Sequence, residues 1–147
     1  MTMPAGKYYV GDLCYVMHEC WDEVCGLFFK GRTDHGCNEG EFVLKDGRRF
    51  VSINTKHGDG SYYDQYGNEY GVDAGLIGCI LINDINFNAG GNGTEGGNVV
   101  DFDRSFDCGG GRNEGRDWDG NIHIGHLVIE TDPVCEYDED PVYEDEE

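Results

Sequence analysis

The 147-residue chain has little of what builds helices: three alanines, one glutamine and six leucines, against 18 aromatic residues. Alanine, leucine and glutamine are strong helix formers, whereas aromatic side chains suit a half-buried pleated surface. That deficit excludes a helical bundle. Positive charge is scarce as well, with 10 basic residues against 30 acidic ones and a formal charge of −20. The basic residues are scattered, and Arg48-Arg49 is the only adjacent pair. Association with nucleic-acid phosphates or an anionic membrane would begin with repulsion, so direct nucleic-acid binding and membrane binding are excluded. No stretch approaches the roughly 18 apolar residues of a membrane span. The opening Met1-Thr2-Met3-Pro4-Ala5-Gly6-Lys7 lacks the apolar core of a secretory signal. These absences lead us to expect a cytoplasmic, one-domain protein that buries roughly two thirds of its unfolded surface.

Seven cysteines are present: Cys14, Cys20, Cys25, Cys37, Cys79, Cys108 and Cys135. An odd number in a chain without a signal points to reduced thiols, the alternative being a disulfide framework with one thiol left over. Glycine is abundant at 24 residues, about twice the usual share. Alternation of apolar and polar residues is the commonest pattern. Lys7–Val10 reads as a strand that continues through Leu13-Cys14-Tyr15-Val16 after a turn or bulge at Gly11-Asp12. Residues 41–44 and 49–53 around Asp46-Gly47 form one expected hairpin, and 61–64 and 69–73 around Gly67-Asn68 a second. The nearly continuous apolar run Leu76–Ile82 fits a central strand buried on both faces. Residues 99–103, and 122–126 running into Leu127-Val128-Ile129, are the last two expected strands.

One segment has helical spacing. Trp21, Val24, Cys25 and Phe28 fall at i, i+3, i+4 and i+7, with Glu19, Asp22 and Glu23 on the opposite face. A short amphipathic helix near residues 18–29 follows, with Gly31 as its stop. Residues 89–97 and 108–120 are rich in Gly and Asn and read as loops. The expected architecture is a mainly β domain over 1–135: seven to nine strands in a single antiparallel β-sandwich or small barrel. An acidic C-terminal tail, 136–147, holds eight acids. Within it Glu136, Tyr137, Asp138, Glu139, Asp140, Tyr143, Glu144 and Asp145 are candidate partner-binding residues, with the aromatics as anchors.

Chemistry-bearing clusters are few. His57-Gly58-Asp59-Gly60 lies close in sequence to Asp64 and Asp73. Imidazole with carboxylates performs general acid–base work, so His57, Asp59 and Asp73 are the catalytic candidates; Cys79 with His57 would make a nucleophile and base. The same Gly58-Asp59-Gly60 also reads as a turn with Asp59 bonding its own backbone. Zinc-type donors His18, Cys20, Cys25, His35 and Cys37 lie within twenty residues, but no Cys-x-x-Cys pair exists, and positions i and i+5 of a helix do not share a face. Asp117, Asp119 and Asn121 give the opening of a calcium loop, with Ile122 where its glycine belongs and Val128 where its closing glutamate belongs. Asp101, Asp103 and Asp107 form a second alternating set, with Arg112 in the closing position. His123 and His126, three apart in a strand, point to opposite faces. The expected cofactor is none, with zinc or calcium as alternatives.

Three blocks carry a resemblance: Tyr8-Tyr9-Val10-Gly11-Asp12-Leu13-Cys14-Tyr15-Val16, Gly58-Asp59-Gly60-Ser61-Tyr62 and Val72-Asp73-Ala74-Gly75-Leu76-Ile77-Gly78. Together they resemble small uncharacterised phage and bacterial proteins that open on Tyr-hydrophobic-Gly-Asp-Pro-Cys-Tyr. Leu13 stands here in place of the proline. The resemblance implies a compact β-rich fold and a viral or mobile-element origin, with host cytoplasm or virion as the setting. The leading functional expectation is a non-enzymatic acidic accessory protein acting on a basic protein surface, or a minor virion component. A small hydrolase or metal-dependent enzyme using the His57 region is one alternative, and a calcium- or sugar-binding β domain is the other.

Overall fold

The computed structural model describes residues 1–31, 37–87, 93–111, 114–115 and 117–132. Along the chain run β1 (Thr2–Met3), β2 (Gly6–Gly11), α1 (Trp21–Phe29), β3 (Gly40–Val43), β4 (Arg49–Asn54), β5 (Gly60–Asp64) and β6 (Glu69–Val72). After these come β7 (Leu76–Leu81), β8 (Asn98–Phe102), β9 (Phe106–Gly109), β10 (Asn121–Ile124) and β11 (Leu127–Glu130). Antiparallel pairing sorts the strands into two sheets. One has five strands in the order β3-β4-β7-β2-β8, and the other has six in the order β1-β9-β10-β11-β5-β6. The fold is a mainly β, two-sheet sandwich with one short helix.

Strand polarity explains the layering. On β2, Tyr8 faces the other sheet while Tyr9 faces outward, and both are fully buried. β7 behaves alike: Ile77 and Cys79 enter the core between the sheets, and Leu76 and Ile80 enter a second cluster on the outer face. A continuous apolar run is what a strand covered on both sides requires. The inter-sheet core also takes Val51, Ile53, Tyr62, Tyr70, Val72, Ile122, Ile124 and Ile129. Outside the five-stranded sheet, Val24 and Phe28 of α1 pack with Phe50, Leu76 and Ile80. Phe28 meets Phe42 edge-on at 5.4 Å between centroids. Each large side chain so buried contributes roughly 1.5–3 kcal/mol of transfer free energy. The outer face of the six-stranded sheet, by contrast, bears Asp107, His123, Glu130, Tyr63 and Glu69, all exposed. Wet on one face is the ordinary state of an antiparallel sheet.

Gly78 and Gly125 are among the glycines that geometry requires. At Gly78, opposite Ser52 on β4, a Cβ would collide with the Val51 carbonyl, so only glycine lets β4 and β7 approach this closely. Gly125, at φ +60°, makes the two-residue turn Gly125-His126 that joins β10 to β11.

Several sequence readings change. Leu13–Tyr15 is a 3₁₀ turn and not a continuation of the first strand, because the Asp12 side chain caps it by accepting from the Cys14 amide. Eleven strands among the described residues exceed the expected seven to nine. β1 and β9 have no counterpart among the expected strands, and Cys108-Gly109 belongs to β9 and not to a loop. His126 lies in a turn and not in a strand, so only His123 obeys the expected alternation. The helical segment begins as a 3₁₀ turn at His18–Cys20 and becomes α-helical from Trp21. Among the described residues no helix is long and apolar enough to cross a membrane.

Candidate functional site

Two carboxylates are buried among the described residues, Asp12 and Asp64. Asp12 sits where β2 ends. Its Oδ1 accepts from the Cys14 amide at 2.9 Å, and its Oδ2 accepts from the Asp73 and Ala74 amides at 2.7 and 2.6 Å. Its own carbonyl accepts from the Tyr9 hydroxyl at 2.8 Å. One carboxylate thereby ties the end of β2 to the turn between β6 and β7. Burial and the Asp12 charge push the Cys14 thiol well above its ordinary pKa, favouring its protonated form. Burial, then a hydrogen bond to the Asp73 carboxylate, does the same to the Tyr15 phenol.

Asp64 closes the β5–β6 hairpin. It accepts from the Tyr66 and Asn68 amides at 2.9 and 3.0 Å, the Asn68 side chain at 3.1 Å and the Tyr70 hydroxyl at 2.7 Å. Burial alone would raise its pKa, but the hydrogen bonds from Tyr70, Asn68 and Tyr66 outweigh burial and hold it below the ordinary aspartate value. Those four donors favour the charged form.

The three resembling blocks converge on the Asp12 joint. The Asp12 carboxylate grips the third block at Asp73 and Ala74. The middle block joins through Thr55, whose amide donates to the Gly75 carbonyl at 3.0 Å and whose hydroxyl donates to the Gly58 carbonyl at 2.7 Å. The Tyr62 hydroxyl reaches the same Gly58 carbonyl at 2.9 Å. Glycine and aspartate recur there because turns and backbone-donor joints demand them.

The catalytic candidates are distributed differently from the expectation. His57, half exposed, hydrogen-bonds through Nε2 to Asp132 Oδ1 at 2.7 Å. Lys56 lies 3.5 Å from the other oxygen of Asp132 and also donates to the Trp118 carbonyl. The His57 hydrogen bond, opposed by slight desolvation and aided by Lys56, holds Asp132 below its usual range. Asp59 is exposed in the turn before β5, and Asp73 is engaged at the Asp12 joint. An imidazole steadied by a carboxylate is the orienting half of a general-base arrangement. The structure supplies that partner from Asp132, which no sequence pattern singled out.

The calcium-like set is used locally. Asp119 accepts from the Asn121 amide at 3.0 Å and from its side-chain nitrogen at 3.3 Å, while Asp117 is exposed. Of the zinc-type donors, Cys20 donates to the Met17 carbonyl, and burial raises the thiol pKa of both Cys20 and Cys25. His35 lies outside the described residues, as do Arg112, Cys135 and all eight tail candidates, Glu136, Tyr137, Asp138, Glu139, Asp140, Tyr143, Glu144 and Asp145. Among the described residues no group of three or more His, Cys, Asp or Glu is placed to hold a metal ion.

An open cleft of about 670 Å³ lies where the β8–β9 turn meets the β10–β11 turn. Asp101, Asp103 and Asp107 rim it, and Phe102 and Phe106, stacked at 3.8 Å, form its apolar wall. His126 leans on Phe102 at 5.6 Å. Arg104, the one cation on the rim, is almost fully exposed and sits 3.8 Å from Asp103. The second alternating acid set therefore does share a surface feature. No known protein family matches this chain, and no curated protein or solved structure is similar to it.

Proposed function

We propose that the protein is a non-enzymatic, acidic accessory protein that occupies a basic surface of a protein partner, presenting carboxylates where that partner would otherwise meet phosphate. The observation that carries this reading is the imbalance of exposed charge. Arg48 is taken up by Glu19 and Asp46, Arg49 by Glu41, and Lys56 by Asp132. Those three cations are paired within the molecule, while Lys7, Lys30, Lys45 and Arg104 are exposed among the described residues. The carboxylates of Asp59, Glu69, Asp101, Asp103, Asp107, Asp117 and Glu130 remain exposed. Eight more acids in residues 136–147 add to the same negative field. A dense field of one sign accelerates association with an oppositely charged groove and rejects like-charged partners. A phage or mobile-element accessory protein that blocks a nucleic-acid-binding protein is the sharpest form of the proposal.

Its test is capture of basic proteins from host lysate on the immobilised full-length chain, followed by elution with competitor. Release by duplex DNA and by raising salt from 50 to 500 mM is the expected result, because both compete for the same electrostatic contact. Retention of the captured partner through both treatments would overturn the proposal.

A further inference from the structure

The core between the sheets takes one cysteine thiol from each side. Cys79 lies on β7 in the middle of the five-stranded sheet, and Cys108 lies on β9 of the six-stranded sheet. Both point into the same inter-sheet cluster, at 0 % and 6 % exposure. Across the sandwich the two thiols interact with one another, and both are free. That contact splits their acidities. Hydrogen bonding to Cys108 and burial raise Cys79, while the Cys79 hydrogen bond, opposed by burial, lowers Cys108.

Access favours Cys108. It neighbours the sheet edge formed by the two-residue strand β1, and its amide donates to the Met1 carbonyl at 2.7 Å. Short edge strands open locally at far lower cost than central strands. Cys79, three strands deep in a five-stranded sheet, has no such route.

We propose that Cys79 and Cys108 form an oxidation site with a built-in resolving thiol, at which a peroxide-class oxidant creates a disulfide joining the two sheets. The Cys108 thiolate attacks one peroxide oxygen; an S–O bond forms, the O–O bond breaks, and water leaves after protonation. The Cys79 sulfur then attacks the Cys108 sulfenic acid. The S–S bond forms, the S–O bond breaks, the Cys79 proton departs with the hydroxide, and a second water leaves. Two thiols are oxidised by two electrons, and one peroxide is reduced to two waters. The bridge constrains the unfolded chain across residues 79–108, so it strengthens the sandwich without adding a native contact.

The test is hydrogen peroxide treatment of the folded full-length protein, with alkylation of remaining thiols, denaturation and peptide mapping by mass spectrometry. A cross-linked peptide pair containing Cys79 and Cys108, cleaved by dithiothreitol, is expected, together with a raised thermal midpoint that falls back on reduction. In Cys79→Ser, Cys108 should persist as a sulfenic acid that dimedone traps. Recovery of Cys79 and Cys108 as free thiols after the other cysteines have oxidised would overturn the proposal. So would bridges that consistently pair either residue with a different cysteine. Wild-type mapping decides the matter even if the serine variant fails to fold.

Discussion

Asp12 and Asp132 are both aspartates that tie distant segments together, yet their environments are opposite. Asp12 is fully buried and accepts three backbone N–H bonds; Asp132 is partly exposed and meets two side chains, the His57 imidazole and the Lys56 ammonium. Backbone donors are fixed in place by the fold, so the interior carboxylate works only as a joint. Side chains at the surface are mobile and their charges screened, so the outer carboxylate is held less firmly and stays partly open to solvent. The acidic character of the chain therefore divides into two populations. A few acids hold the sandwich together, and the many others face outward.

The largest effect expected from breaking that contrast is Asp12→Ala. It leaves three buried amides without an acceptor, and we expect a loss of about 3–5 kcal/mol in urea unfolding, comparable to removing one partner of a buried charged pair. A cost below about 1 kcal/mol would erase the distinction between the two populations. Next comes Asp64→Ala, which strips four donors, including the Tyr70 hydroxyl, of their acceptor. We expect about 2–3 kcal/mol.

Asp64 also sets a pH dependence. Its folded pKa lies below the unfolded value near 3.9, so its stabilisation is complete above that value and is lost as pH falls through the folded pKa. Midpoints measured between pH 5 and pH 2 should fall more steeply for wild type than for Asp64→Asn. Asp132→Asn should cost less than about 1 kcal/mol at neutral pH, as partly exposed pairs do. Smallest in stability is the combined Asp101→Asn, Asp103→Asn and Asp107→Asn variant. Its thermal midpoint should stay close to wild type while its capture of a basic partner weakens.

The architecture was legible where one strong local pattern governed it. The run from Leu76 announces a doubly covered strand because no polar residue interrupts it until Asn83, and Trp21, Val24 and Phe28 announce a helix by their spacing. Where two readings of the same residues competed, tertiary context decided. Leu13-Cys14-Tyr15-Val16 has strand-like composition, but the Asp12 cap turns it into a 3₁₀ coil. β9 was hidden because Phe106 and Cys108 alternate over only four residues beside a glycine-rich stretch. The joint at Asp12 depends on amides sixty residues away, and no local pattern encodes such a contact. The same holds for Asp132 beside His57, 75 residues apart in sequence. Sequence proximity to His57 selected Asp59 and Asp73, whereas the imidazole's hydrogen-bond partner is Asp132, just beyond β11.

Binding of the captured basic partner as a function of salt tests the central claim most directly, with the full chain compared against a variant whose acids at 136–147 are changed to Asn or Gln. The electrostatic account predicts that the logarithm of affinity falls linearly with the logarithm of salt concentration, and that the slope becomes shallower in the neutralised variant. An affinity indifferent to salt, with identical slopes for the two chains, would contradict it.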